Sequence, residues 1–86
     1  MAKEKMILNA FAKVLRKERT NFEKSQRIFA FENGIHKSMI SRFESGNNEP
    51  KLFSVWRIAN ALDMKPSEFL AAVEKELPEA FNILDI

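Results

Sequence analysis

The side chains best suited to chemistry lie together in one short stretch, His36-Lys37-Ser38-Met39-Ile40-Ser41-Arg42-Phe43-Glu44-Ser45. Wound at about 100° per residue, Lys37, Ser38, Ser41, Arg42 and Ser45 share one arc of about 140°. Met39, Ile40 and Phe43 fall opposite, within about 100°. Such a helix packs by three large apolar groups and turns hydroxyls and cations outward. Hydroxyls and cations match what base edges and phosphates accept. The same arc would also serve as an ordinary solvated helix face, and the residues around it must decide.

Other chemistries lack their residues. The chain has no cysteine, which excludes disulfides, thiolate metal sites and cysteine catalysis. A single histidine, His36, argues against a histidine-rich metal centre. No nucleophile–base pair and no phosphate-cradling glycine loop is found, so neither an enzyme nor a cofactor is expected. No apolar run approaches the ~20 residues of a membrane span, and no secretory-type stretch follows Met1. A cytoplasmic protein is expected, with no membrane contact.

The elements that must position the stretch are helical. Apolar residues recur at three and four, as in Ile7, Leu8, Phe11, Val14 and Leu15, and again in Leu52, Val55, Ile58, Ala59 and Leu62. The pattern predicts five helices, over residues 3–18, 25–33, 36–45, 52–62 and 66–76. Gly34 and Gly46 stand where left-handed caps want glycine, Pro50 breaks the chain and Pro66 suits a first turn. Eighty-six residues make one domain, all-α. Charge is divided: residues 1–51 carry 11 Lys/Arg against 6 Asp/Glu, residues 52–86 carry 3 against 6. The basic half suits a polyanion, although chance clustering would give the same imbalance.

Ser25-Gln26, Ala30, Gly34-Ile35, Ile40-Ser41-Arg42-Phe43-Glu44-Ser45-Gly46, Pro50 and the helix from Leu52 resemble the Cro/phage-repressor (XRE-type) helix-turn-helix family over about residues 6–70. A sharp turn at Gly34 and a small Ala30 at the helix crossing are physical requirements of that motif. The resemblance implies a compact five-helix DNA-binding domain over residues 1–78, and a sequence-specific transcriptional regulator, a homodimeric repressor, acting on double-stranded DNA. It assigns Lys37, Ser38, Ser41 and Arg42 to base edges in the major groove. Gln26, Ser45, Asn47, Asn48 and Lys51 are assigned to phosphates. Arg16 and Glu44 match a pair that ties the recognition helix to the first helix; two solvated charges are the alternative.

Several positions depart from the family. About three extra residues follow Arg16, within Arg19–Lys24, and Thr20-x-x-Glu23 is a capping-box pattern that would start the second helix early. Ile28 and Phe31 stand where the family is polar; Phe22 is expected to fold over them, a partner patch being the alternative. His36 replaces a Ser or Thr cap. Phe69, Leu70, Val73 and Leu77 form one apolar stripe of the fifth helix, expected to face the core. The apolar tail 79–86, with Phe81, Ile83, Leu84 and Ile86, is the candidate dimerisation segment, beside Trp56. No effector module or small-molecule ligand is expected. The alternative function is a protein-interaction module, such as the antitoxin of a toxin–antitoxin pair, whose partner would cover Ile28, Phe31 and the tail.

Overall fold

A computed structural model describes residues 2–84, and its elements are five α-helices with no strand among the described residues. They are α1 (Ala2–Asn21), α2 (Gln26–Glu32), α3 (Lys37–Glu44), α4 (Leu52–Ala61) and α5 (Pro66–Lys75). Helix α1 packs on α3 and α5, α2 on α3, and α4 on α5.

Local chemistry sets most of the boundaries. Ser25 caps α2, its hydroxyl accepting the Ile28 N–H at 3.1 Å. Pro66 opens α5, where the Glu68 carboxylate accepts the Lys65 N–H at 2.8 Å. Gly34 turns the chain between α2 and α3 with φ 64°. His36 is the N-cap residue of α3, but its ring makes no capping hydrogen bond.

The core is one apolar cluster. Leu15, Phe29, Ile40, Ile58 and Phe69 are fully buried within it. Phe11 is its hinge-pin: its ring meets Phe43 of α3 edge-on at 6.0 Å and Phe69 of α5 at 5.2 Å. Helices α1, α3 and α5 are thereby locked through three aromatic rings. Met39, Ile40 and Phe43 do pack inward, which leaves the opposite side of α3 to solvent.

Four expectations are corrected. Residues 19–21 are not an insertion before α2 but the last turn of α1, which outruns its predicted end at residue 18. The Thr20 hydroxyl donates back to Lys17 O at 2.9 Å, so no capping box forms and α2 does not start early. Phe22 does not cover Phe31, which is 83% exposed. Leu70 leaves the α5 stripe for the surface, whereas Phe69 and Val73 are buried and Leu77 packs against them.

The tail folds back toward α1. Lys3 Nζ donates to Asn82 O at 2.7 Å, and Ile83 lines a cleft with Lys5, Ile7 and Leu8. Ile86 lies outside the described residues.

Phe69→Ala should remove the ring that joins α5 to Phe11. The expected loss is about 3–5 kcal/mol of unfolding free energy, read by urea denaturation. A loss below about 1 kcal/mol would show that the site collapses without cost.

Candidate nucleic-acid interface

The recognition helix is held from below by a buried carboxylate. Glu44 follows Phe43 and is 5% exposed, so its charge requires partners. Arg19, at the end of α1 and 8% exposed, forms a two-pronged bond: Nε to Oε2 at 2.6 Å and Nη2 to Oε1 at 2.9 Å. Arg19 Nη1 also donates to Lys24 O at 2.6 Å, fixing the turn that leads into α2. Gln26 Nε2 donates to Glu44 Oε1 at 3.0 Å. One carboxylate therefore joins α1, α2 and α3.

The electrostatics follow from that geometry. Burial pushes the Glu44 carboxyl up, but hydrogen bonds from Arg19 and Gln26, with the charges of Arg19 and Arg16, outweigh it and hold the group below its ordinary value. The bond to Glu44 raises Arg19 against the opposing effect of burial.

The sequence reading paired Glu44 with Arg16. Arg16 does approach, with Nε 3.6 Å from Oε1, but its side chain is 63% exposed and the two-pronged partner is Arg19. Helical register carried the missed signal. Arg19 continues the row Phe11, Leu15, Arg19 at i+4 steps, along the buried side of α1, while Arg16 stands about 100° off that row.

Helix α3 turns Lys37, Ser38, Arg42 and Ser45 to solvent, with Ser41 half-buried beside them. Arg42 is not loose. With the Asn48 amide turned so that its oxygen faces the guanidinium, Arg42 Nε donates to it at 3.2 Å, and the amide nitrogen donates to Asn47 O at 3.0 Å. The Ser45 hydroxyl donates to Arg42 O at 2.9 Å, so in this rotamer it can accept but not donate outward. Gln26 likewise directs its amide N–H at Glu44.

The end of α3 is fastened to α1. Gly46 is buried with φ 75°, and Lys5 Nζ donates to its carbonyl at 2.6 Å. A Cβ there would lie 2.6 Å from Asn9 Oδ1, which is why the helix ends on glycine. Beyond it, Asn47 and Asn48 form an exposed loop against Arg42, and Lys51 is exposed at the start of α4. Lys5 and Asn9 were not anticipated. Nothing in local spacing points from one helix to a carbonyl so far along the chain.

The remaining candidate residues are elsewhere. Trp56 is 51% exposed on α4, Phe81 is half-buried, Ile83 is turned toward α1 and Leu84 is 83% exposed. No group of residues able to hold a metal ion occurs among those described, and no described helix is long and apolar enough to cross a membrane.

A helix-turn-helix family model matches residues 15–69, from within α1 to the first residues of α5. The chain belongs to the XRE-type helix-turn-helix family. Its relatives include an uncharacterized HTH-type transcriptional regulator, y4dL, of Sinorhizobium fredii, 39% identical over 71 residues. That match covers 83% of this chain and 35% of the relative, so the chain spans about a third of that protein's length. Among solved structures, the restriction-modification controller protein C.AhdI from Aeromonas hydrophila superposes with a TM-score of 0.67 at 34% identity, over 72% of this chain and 94% of the other. Membership of this family makes residues 15–69 a DNA-binding domain of the kind found in transcriptional regulators.

The helix-turn-helix unit should depend on Arg19 far more than on Arg16. Arg19→Met strands a buried carboxylate and should cost about 3–5 kcal/mol. Arg16→Ala, at an exposed pair, should cost about 1 kcal/mol or less. A depressed carboxyl stabilises the fold above its unfolded pKa of about 4.3 and loses that contribution as pH falls through the folded value. The stability gap between wild type and Glu44→Gln should therefore be full at neutral pH and shrink below about pH 4, as read by thermal unfolding across a pH series. A gap independent of pH would remove the charge of Glu44 from the account.

Proposed function

We propose that the protein is a homodimeric transcriptional repressor that reads DNA in the major groove with α3. The observation that carries this reading is the division of α3. One side is fixed to the core and, through Glu44, to α1 and α2, and the other presents Lys37, Ser38 and Arg42 to solvent with Ser41 half-buried beside them. A helix of 8 residues is about 12 Å long, which suits a groove about 12 Å wide. Arg42, steadied by Asn48, is the side chain to accept a guanine edge. Lys51 and Asn47 face the backbone. Such a regulator works in the cytoplasm, where the duplex is.

Two half-sites one DNA turn apart need units held about 34 Å apart, which a rigid dimer provides. Helix α4 offers a contact for it: Leu52, Phe53 and Trp56 are all exposed on one arc of about 100°, opposite the buried Val55, Ile58 and Leu62. Leu84, 83% exposed, is the tail residue left for a partner, since Ile83 is taken up in part by α1. The alternative, an antitoxin-like module with a protein partner, is favoured by Phe31, which stands 83% exposed on α2 beside Ile28. A toxin-like reading frame next to the gene would support it.

Selection of bound duplexes from a random pool tests the reading, and a pool that yields no enriched site would sink it. On the selected site, Arg42→Ala should lose about 1–3 kcal/mol at one base position, while Lys51→Ala should weaken all sequences alike and flatten the salt slope by about one unit. Uniform loss from both changes would remove Arg42 from base readout.

Trp56→Asp should shift the protein from dimer to monomer in sedimentation, with its helical circular dichroism retained. A wild-type protein already monomeric at micromolar concentration, or a variant still dimeric, would overturn the α4 contact.

A further inference from the structure

Helix α1 carries a row of polar and cationic side chains to which the DNA-binding reading assigns no contact. Asn9, Lys13, Arg16, Lys17 and Thr20 line one open groove with Glu44 and Ser45 of the recognition helix end. Their spacing of three and four along α1 puts them on a single stripe. Lys13 is committed to Glu76, at 3.0 Å. Lys17 is exposed, and its ammonium has no ion-pair partner among the described residues.

Arg16 is a surplus cation. Its one ion-pair partner among the described residues is Glu44, whose two oxygens already accept from Arg19 at 2.6 and 2.9 Å and from Gln26 at 3.0 Å. A fourth donor at 3.6 Å adds little to a carboxylate so fully served. Arg16 thus keeps its Nη donors and Lys17 its whole ammonium at the groove's mouth, over a floor whose negative charge Arg19 neutralises.

The groove adjoins the DNA-facing side of α3 through Ser45, which belongs to both. A duplex seated on α3 must carry its sugar–phosphate backbone past Ser45, because a helix that fills the major groove is flanked by both strands. The Ser45 hydroxyl is occupied with Arg42 O, and one N–H of the Gln26 amide with Glu44. The cationic donors that line the groove all belong to α1.

We propose that Arg16 and Lys17 form a second phosphate site, binding the duplex backbone beside the end of the recognition helix. The proposal rests on the DNA-binding reading and adds α1 to the contact surface. Lys17 supplies a mobile point charge and Arg16 a two-pronged donor, while Thr20 borders the site. Because phosphate carries no sequence information, this site sets affinity and register and leaves base preference untouched.

The test is a salt series on the full chain with a duplex obtained by selection. Arg16→Gln with Lys17→Gln should lower the slope of log K against log salt by about 1.8, at about 0.9 per phosphate contact, with the ranking of single-base variants unchanged. Lys17→Gln alone, at an exposed side chain without an ion-pair partner among the described residues, should lower it by about 0.9 with no change in melting temperature. Lys65→Gln with Lys75→Gln removes the same charge from the ends of α5 and should leave the slope within about 0.3 of wild type. Equal losses from both double variants would mean general attraction and overturn the site, as would a slope unmoved by the α1 changes. If wild type itself binds no duplex, the DNA reading falls, and the α1 site with it. Wild-type binding with inert α1 variants would sink the α1 site alone.

Discussion

Glu44 is a charge placed where water does not reach, directly behind the side chains that face outward from α3, and the arrangement of the first three helices follows from keeping it satisfied. Arg19 can serve both oxygens only if α1 remains helical to Asn21, three residues past its predicted end. Gln26 can add its bond only if α2 starts where Ser25 caps it. Directional bonds to a desolvated carboxylate tolerate little displacement, so the angle of α3 to its neighbours is set by geometry that apolar packing alone would leave loose. Phe11 complements it from the other flank, joining α3 to α5 through ring edges.

A buried ion pair of this kind contributes less to net stability than its short distances suggest, since desolvation offsets much of the attraction. Its value here is orientation. Replacing it with apolar groups of equal volume would fill the space and still leave α3 free to roll by a few degrees, moving Lys37 and Arg42 together relative to α1 and α2. The fastening of Gly46 by Lys5 works in the same sense at the far end of the helix.

Much of this was legible in the sequence where the signal is periodic or local. The division of α3 into Met39, Ile40 and Phe43 against Lys37, Ser38 and Arg42 followed from spacing alone, as did the turns at Gly34 and Gly46. The identity of Glu44's partner did not. The family pattern pointed to Arg16, and the row through Phe11 and Leu15 is what marks Arg19, three residues on, as the buried one. Thr20-x-x-Glu23 misled because a capping signal competes with the continuing helix, and here the helix prevails, anchored by Arg19. Leu70 and Phe31 show the limit of apolar pattern: each sits one step from a buried neighbour, and a narrow helix–helix contact covers only one of the two.

The outward side of α3 takes almost no part in holding the molecule together. Lys37 and Ser38 make no tertiary bond among the described residues, and Arg42 is steadied only by a loop amide. Substitution at these positions is therefore nearly free of folding cost, while the buried side tolerates almost none. A lineage carrying this scaffold can exchange one set of target sites for another by a few surface changes, each passing through a folded intermediate. Gene duplication followed by drift at positions 37, 38, 41 and 42 is enough to give two regulators that ignore each other's sites. Divergence at those four positions against constancy at Arg19, Gln26 and Glu44 is the signature such a history would leave.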